Sequence, residues 1–133
     1  MIRKVTAVVL YAHDVEACVA FYEHKLGFEV VLREPTMAAL KMDGQGFAIV
    51  PLVDSVKLMN TQPDGFESNT GKINRTMLCA EVEDVDATYE AYKAKGVEFT
   101  KPPSNQAWGI RTACFRDPEG NIWELTQPIA SEE

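Results

Sequence analysis

Two stretches of the chain show the same order of apolar and polar positions. "TAVVLYAHDVEACVAFYEHKLGFEV" begins at Thr6, and "TMLCAEVEDVDATYEAYKAKGVEF" begins at Thr76. Each gives a β-rich apolar run, an acid, an amphipathic stretch, and then a glycine before another apolar run. Asp14 recurs as Asp84 at an offset of 70, and "DGQGFAIVPL" aligns with "DPEGNIWELT" at an offset of 74. This repetition predicts two copies of one structural unit.

The amphipathic stretch of each repeat is predicted to form a helix. Asp14 is a favourable N-cap, because its carboxylate can accept a hydrogen bond from a backbone N–H of the first turn. Gly27 is placed to end this helix. Asp84 and Gly96 take the same roles in the second repeat. The first helix has an apolar stripe at helical spacing, formed by Val15, Cys18, Val19, Tyr22 and Leu26.

The remaining apolar runs are predicted to be strands, three after each helix. They read "FEVVLRE", "MAALKMD" and "FAIVPLV" in the first repeat and "VEFTKP", "IRTACFR" and "NIWELTQ" in the second. The sequence therefore predicts an α+β fold made of two tandem βαβββ modules. We expect a single domain over residues 1–133, with modules at 5–53 and 75–128 and a polar, turn-rich linker at 54–74.

Composition and charge limit the classes of function. A chain of 133 residues with 46% hydrophobic and 25% charged residues is typical of a globular domain. It has no apolar run long enough for a membrane span, and no signal-peptide pattern precedes the first strand, so we expect a cytoplasmic protein. The net charge of −7 argues against nucleic-acid binding. The three cysteines have no metal-site spacing, so we expect small buried core residues.

Two segments carry a resemblance to a known family. "FYEHKLGFEV" and "WGIRTACFRDPEGNIWEL", within a duplicated βαβββ pattern from Val5 to Pro128, resemble the vicinal oxygen chelate superfamily. That superfamily includes glyoxalase I, extradiol dioxygenases, fosfomycin-resistance enzymes and bleomycin-resistance proteins. The resemblance implies half-open curved sheets around a cavity, helices on the outer side, and a homodimer. Whether the modules pair within one chain or swap between chains stays open.

The resemblance also implies where a metal ion would be bound. In metal-dependent members the ligands lie on the first and last strands of each half, and the repeat alignment places them at Ala7, Val50, Met77 and Glu124. Alanine and valine have no donor atom, and the thioether of Met77 is too soft for a divalent ion of the Mn, Fe, Ni or Zn type. We therefore expect no metal and no other cofactor.

Strand alternation and the resemblance together predict the residues that would contact a ligand. Glu124 is the candidate catalytic base, or else a hydrogen-bond acceptor inside the cavity. Trp108 could stack on a planar ligand or pin the neighbouring prolines, and Arg111 could bind an anion or pair with Glu124. His13 and His24 are interpreted as loop or surface residues, with His13 closer to the cavity mouth. The candidate ligand-binding set is Ala7, Val9, Tyr11, Val50, Met77, Cys79, Trp108, Arg111 and Glu124.

Two functions follow as hypotheses. The first is a metal-free protein that binds a small, partly apolar or aromatic molecule in the cavity, as bleomycin-resistance proteins do. The second is an enzyme, either a glyoxalase-I-like lyase or isomerase or a dioxygenase-type enzyme, that uses Glu124 as base or metal ligand.

Overall fold

The computed structural model describes residues 1–35, 37–51 and 76–129, except for the side chains of Val50 and Pro51. The chain divides into two compact units, Met1–Ser68 and Asn69–Glu133. They are called the first and second unit below. The predicted linker at 54–74 lies outside the described residues.

Each unit contains one four-stranded sheet. The first has the strand order β1-β4-β3-β2, and the second has the order β5-β8-β7-β6. In both sheets the first strand is parallel to the last one, and the other neighbours are antiparallel. The first unit consists of β1 (Ala7–Ala12), α1 (Val15–Ala20), a π-helical segment (Phe21–Lys25), β2 (Glu29–Arg33), β3 (Ala38–Met42) and β4 (Gln45–Pro51). The second consists of β5 (Met77–Glu81), α2 (Val85–Ala94), β6 (Phe99–Asn105), β7 (Ile110–Arg116) and β8 (Ile122–Pro128).

The predicted α+β fold of two βαβββ modules is confirmed. Asp14 and Asp84 cap the two helices, and each carboxylate accepts a hydrogen bond of 3.0 Å from the backbone N–H three residues later. Gly27 follows the first helix with φ of +80°, a conformation that glycine adopts without the steric cost borne by other residues.

The first helix differs from the prediction, because it does not stay α-helical to its end. Phe21–Lys25 forms a π-helical turn, and the N–H of Leu26 donates to the carbonyl of Phe21 at 3.1 Å, five residues back. The repeat explains this turn. Five positions separate Tyr22 from Gly27, whereas four separate Tyr92 from Gly96 in the second unit. The first unit therefore accommodates one additional residue as a π-bulge.

In each unit the helix packs on one face of the sheet and leaves the other face uncovered by that helix. In the second unit Trp123 is buried and stacks on Phe115, with 1° between the ring planes. The buried apolar residues of the first unit include Leu10, Cys18, Val19, Tyr22, Leu40, Phe47 and Ile49, and those of the second include Val85, Ala113, Phe115, Trp123 and Leu125.

The expectation that all three cysteines are buried is wrong. Cys18 is 0% exposed, but Cys79 is exposed and Cys114 is partly exposed, and none of the three forms a disulfide. Cys79 and Cys114 lie on strands, and their side chains belong to the sheet face that the helix does not cover. Within the described residues, no helix has the length and apolar character needed to cross a membrane.

Candidate functional site

The side chains of β8 alternate between the two faces of the second sheet. Trp123 and Leu125 are buried on the helix side, and Gln127 on that side accepts a hydrogen bond of 2.8 Å from the N–H of Val85 at the start of α2. Because successive strand residues point to opposite faces, Glu124 lies on the other face. We call this the open face of the second unit.

Glu124 lies in a row of side chains that crosses all four strands. In register it is opposite Cys79 on β5 and opposite Cys114 on β7. Cys114 in turn is opposite Lys101 on β6. The row therefore reads thiol, carboxylate, thiol and ammonium, with neighbours roughly 5 Å apart along the direction of the backbone hydrogen bonds.

The carboxylate has one thiol partner. The Cys79 thiol donates to Oε1 of Glu124, with 3.7 Å between sulfur and oxygen. Among the described residues, Oε2 of Glu124 has no hydrogen-bond partner. A half-buried carboxylate with one free oxygen can accept a further hydrogen bond, and a ligand hydroxyl, amine or amide could donate it.

Both thiols are kept in their protonated form. Desolvation by burial, followed by the negative charge of Glu124 and the hydrogen bond to it, raises the pKa of Cys79. Desolvation and then the charge of Glu124 also raise the pKa of Cys114, and the Lys101 ammonium opposes this change. At neutral pH the thiols of the row are therefore uncharged, and its charged groups are Glu124 and Lys101.

The raised pKa of Cys79 predicts slow alkylation in spite of its exposure. Iodoacetamide reacts with the thiolate, so Cys79 should react slowly at pH 7.5 and faster as the pH rises. Glu124→Gln removes the neighbouring negative charge, and it should therefore lower the pKa of Cys79 and speed alkylation at pH 7.5. Site-resolved mass spectrometry over time measures both rates, and Glu81→Gln on the same strand is the control. Equal rates in Glu124→Gln and the wild-type protein would contradict the assigned contact.

The rows on either side of Glu124 differ in polarity. On one side Met77, which is 46% exposed, is opposite Ile122, and Ile122 is opposite Arg116 on β7. On the other side Thr126 is opposite Thr112. The side-chain amide of Gln106 donates to the hydroxyls of Thr112 at 3.0 Å and Ser104 at 3.1 Å. This polar group is not predicted from the sequence, because β6 has two register shifts that strand alternation does not reveal.

The "DPEGN" segment fixes the start of β8. Asp117 is 5% exposed, and its carboxylate accepts three hydrogen bonds, from the backbone N–H of Glu119 at 2.9 Å and from the N–H and side-chain amide of Asn121 at 2.8 Å each. Gly120 completes the turn with φ of +86°. The acid of this motif thus has a structural role, since it closes the turn that leads into β8 and so to Glu124.

Trp108 lies at the tip of the β6–β7 hairpin. It precedes Gly109, whose φ is +88°, and the turn is closed by a hydrogen bond of 2.8 Å from the N–H of Gln106 to the carbonyl of Ile110. The indole is 70% exposed. A ring this exposed packs little against the prolines of β6. Its surface is therefore available to a planar ligand.

Arg111 does not pair with Glu124, which was one of the two roles that the sequence suggested for it. The guanidinium forms a two-point ion pair with Asp86 in the first turn of α2, at 2.7 and 2.9 Å, and a hydrogen bond of 2.9 Å to Asn105. The hydrogen bond from Arg111 lowers the pKa of Asp86. Arg111 is adjacent in β7 to Thr112, whose side chain is on the open face, so alternation places Arg111 on the helix side.

The first unit contributes an apolar surface at the equivalent strands. Ala7, Val9 and Tyr11 alternate along β1 with the buried Leu10 and Ala12, and they are opposite Gly46, Ala48 and Val50 of β4. The side chain of Val50 lies outside the described residues. His13 is exposed just after β1, and His24 is exposed in the π-helical segment.

The sheet register corrects the repeat alignment at β4. Val50 is opposite Tyr11, whereas Glu124 is opposite Cys79, the counterpart of Val9 at an offset of 70. The residue of the first unit in the place of Glu124 is therefore Ala48, two positions before Val50 on the same face. Loop lengths differ between the repeats, and an alignment of sequence letters cannot detect a shift that preserves the face.

Comparison with known proteins places this geometry in a family. The model of the Glyoxalase/Bleomycin resistance protein/Dioxygenase superfamily matches residues 4–125. The chain belongs to this superfamily. That range includes Glu124 and all strands except the end of β8, so membership of the superfamily rests on nearly the whole chain.

Two relatives match this chain over nearly their whole length. The chain is 30% identical to the uncharacterized protein YraH of Bacillus subtilis over 124 residues, which cover 92% of this chain and 96% of that one. It is 25% identical to the uncharacterized protein YetH of the same organism over 127 residues, covering 96% and 100%.

Solved structures of the superfamily have the same fold. A glyoxalase/bleomycin resistance protein/dioxygenase from Nocardioides is 28% identical with a TM-score of 0.83, covering 100% of this chain and 88% of that one. A lactoylglutathione lyase from Agrobacterium tumefaciens is 22% identical with a TM-score of 0.72, covering 93% and 92%. The second likeness extends to the fold alone.

Proposed function

We propose that the protein is a metal-free member of its superfamily that binds a small, partly apolar or aromatic molecule. The main support for the proposal is the row of side chains on the open face of the second unit, Cys79, Glu124, Cys114 and Lys101. It offers one carboxylate with a free oxygen, flanked by uncharged thiols and next to the apolar side chains of Met77 and Ile122. A few polar groups on an otherwise apolar surface are typical of small-molecule sites.

The side chains at the superfamily's ligand positions do not fit a transition metal. Ala7 and Met77 offer no oxygen or nitrogen donor, and both Val50 and its register counterpart Ala48 are aliphatic. In the part of the chain that the structure describes, no group of three or more His, Cys, Asp or Glu side chains is arranged to hold a metal ion. A lone carboxylate does not retain a divalent ion against water.

The row also favours a particular ligand chemistry. Glu124 and Lys101 are separated by two strand spacings, roughly 10 Å. A planar ligand lying across β7 could donate a hydrogen bond to Glu124 at one end and accept one from Lys101 at the other. Its ring would then contact Cys114 and approach Ile122 of β8.

A matched set of fragments tests this proposal. 4-Aminobenzoate has a donor and an anionic acceptor, benzoate lacks the donor, and aniline lacks the acceptor. Backbone amide shifts in NMR titrations should move on β5, β7 and β8, most strongly with 4-aminobenzoate. Equal shifts with all three fragments, or none on these strands, would contradict the assigned ligand chemistry.

Metal analysis tests the other half of the proposal. Protein purified without chelator should contain far less than one transition-metal ion per chain by plasma mass spectrometry. One tightly held ion per chain would overturn the proposal.

The second candidate function is an enzyme that uses Glu124 as a general base, such as a glyoxalase-I-like lyase or isomerase. The free Oε2 oxygen favours it, because a base must present an unshared oxygen to the proton that it removes. A panel of dicarbonyl compounds and thiol adducts separates the two functions. Turnover that is lost in Glu124→Gln supports the enzyme, and binding without turnover supports the binder.

We further infer that the protein acts in the cytoplasm as a homodimer. None of the three cysteines forms a disulfide, as is usual in a reducing compartment, and closed symmetric pairs are the commonest oligomers. Sedimentation at micromolar concentration should give twice the mass of 14.8 kDa, and a monomer would contradict the inference.

A further inference from the structure

The first unit has a groove on the helix side of its sheet, away from its uncovered face. It runs between the helical segment and the turn from β2 to β3, and it has a volume of about 420 Å³. We call it the helix–turn groove. Its apolar part consists of Val15, Val19, Ala20, Met37 and Ala38. A volume in this range is typical of small-molecule sites.

The groove adjoins the additional residue of the first repeat. Glu23 and His24 of the π-helical turn line it, together with Val19 and Ala20 from the last turn of α1. Glu23 of the π-helical turn is 3.0 Å from Arg33 at the end of β2, so the turn forms one wall of the groove. π-bulges are often found at functional sites.

The acidic side chains around the groove differ in whether they have an ion-pair partner. Glu23 is within 3.0 Å of Arg33 and 3.3 Å of His24. Glu16 and Glu34 also line the groove, and both are exposed. Among the described residues, neither of these two carboxylates has an ion-pair partner. With His24 neutral, three carboxylates face one guanidinium, which leaves a surplus of two negative charges.

We propose that the helix–turn groove binds a small organic cation with an apolar body, such as a substituted ammonium. The apolar part of the groove would take up the hydrocarbon portion, with Val19 and Ala38 as its buried base. Glu16 and Glu34 attract the charge, and Glu23 remains paired with Arg33. A neutral or anionic molecule of the same size gains only the apolar contact, because the charged groups favour cations.

Benzyltrimethylammonium is the probe that tests the proposal, with N-benzylacetamide as its neutral counterpart and phenylacetate as its anionic counterpart. NMR titration of the full chain should shift the amides of α1, the π-helical segment and residues 37–38 with the ammonium. The double variant Glu16→Gln/Glu34→Gln should bind it about three- to tenfold more weakly, as expected for two partly solvated charges. Raising the salt concentration should also weaken binding.

A control separates the groove from the general acidity of the chain. Glu90→Gln/Glu98→Gln removes two exposed acids of the second unit and should leave the affinity unchanged. Equal loss of affinity in both double variants would overturn the proposal, as would equal affinity for the three probes. Absence of shifts around the groove, as expected if a second copy or another part of the chain covers it, would overturn it as well. The fragments that test the open face report on other strands, so the two sites can fail independently.

Discussion

Replacing Asp117 with alanine is expected to lower the free energy of unfolding of the second unit by about 2–4 kcal/mol. Its buried carboxylate accepts three hydrogen bonds, and alanine would leave the N–H groups of Glu119 and Asn121 without that acceptor. A buried polar group that loses its partner costs more than the hydrogen bond itself contributed. Urea unfolding followed by tryptophan fluorescence measures the effect, because Trp108 and Trp123 both belong to the second unit.

Two further variants show whether the hydrogen bonds are the cause. Asp117→Asn retains one side-chain oxygen for the backbone N–H groups and should have an intermediate effect. Glu98, exposed just before β6 in the second unit, is the control, and Glu98→Ala should cost less than about 0.5 kcal/mol. If Asp117→Ala unfolds at the same urea concentration as Glu98→Ala, the turn does not depend on its carboxylate.

Much of the fold could be predicted because local chemistry and long-range packing agree in this chain. Asp14 and Asp84 are favourable caps in isolation, and both cap their helices here. The glycines that follow the helices take positive φ values, as the sequence pattern indicates. Each of these features depends on a few neighbouring residues, which is why one sequence is sufficient to predict it.

Features that depend on a shift of one or two residues could not be predicted from the sequence. The π-helical turn results from one additional position between Tyr22 and Gly27, and a stripe of apolar residues has nearly the same spacing with or without it. The register of β4 differs from the repeat alignment by two positions for a similar reason. Both shifts preserve the buried face, so the apolar pattern contains no signal for them.

The partner of Arg111 could not be predicted either. Asp86 precedes it by 25 residues, and the two meet only because α2 packs across β7. From the sequence, Arg111 could bind an anion or pair with Glu124, and no pattern there pointed to Asp86. Strand alternation assigned Glu124 to the open face. Once the register of β7 is known, the same alternation assigns Arg111 to the helix side.

The two sheets offer different chemistry on their uncovered faces. In the first unit, the places of Cys79 and Glu124 are taken by Val9 and Ala48. At these strand positions, the charged row is therefore present in the second unit and absent from the first. Duplication supplies two similar frameworks, and substitution at a few strand positions gives one of them its polar groups.

Glu124→Gln is expected to weaken binding of a ligand of the open face about 10- to 100-fold, the usual contribution of a hydrogen bond to a charged acceptor. Glutamine keeps the shape of the side chain but loses the charge, and its amide nitrogen cannot accept from a ligand donor. With 4-aminobenzoate as the probe, the loss should be seen as a higher Kd in NMR titration, while the urea midpoint stays within the error of the wild-type protein.

The chemistry of the row determines the controls for that experiment. Lys101 is exposed at the end of the row, so Lys101→Met should weaken binding only up to about fivefold. Glu81→Gln changes an acid on the same strand as Cys79 without altering the row, and it should bind the probe as the wild-type protein does. The three variants together distinguish a specific acceptor from general surface charge. If Glu124 is a specific acceptor, Glu124→Gln should weaken binding most among the three variants. The reason is that the free oxygen of Glu124 lies between two uncharged thiols and accepts the hydrogen bond from the ligand.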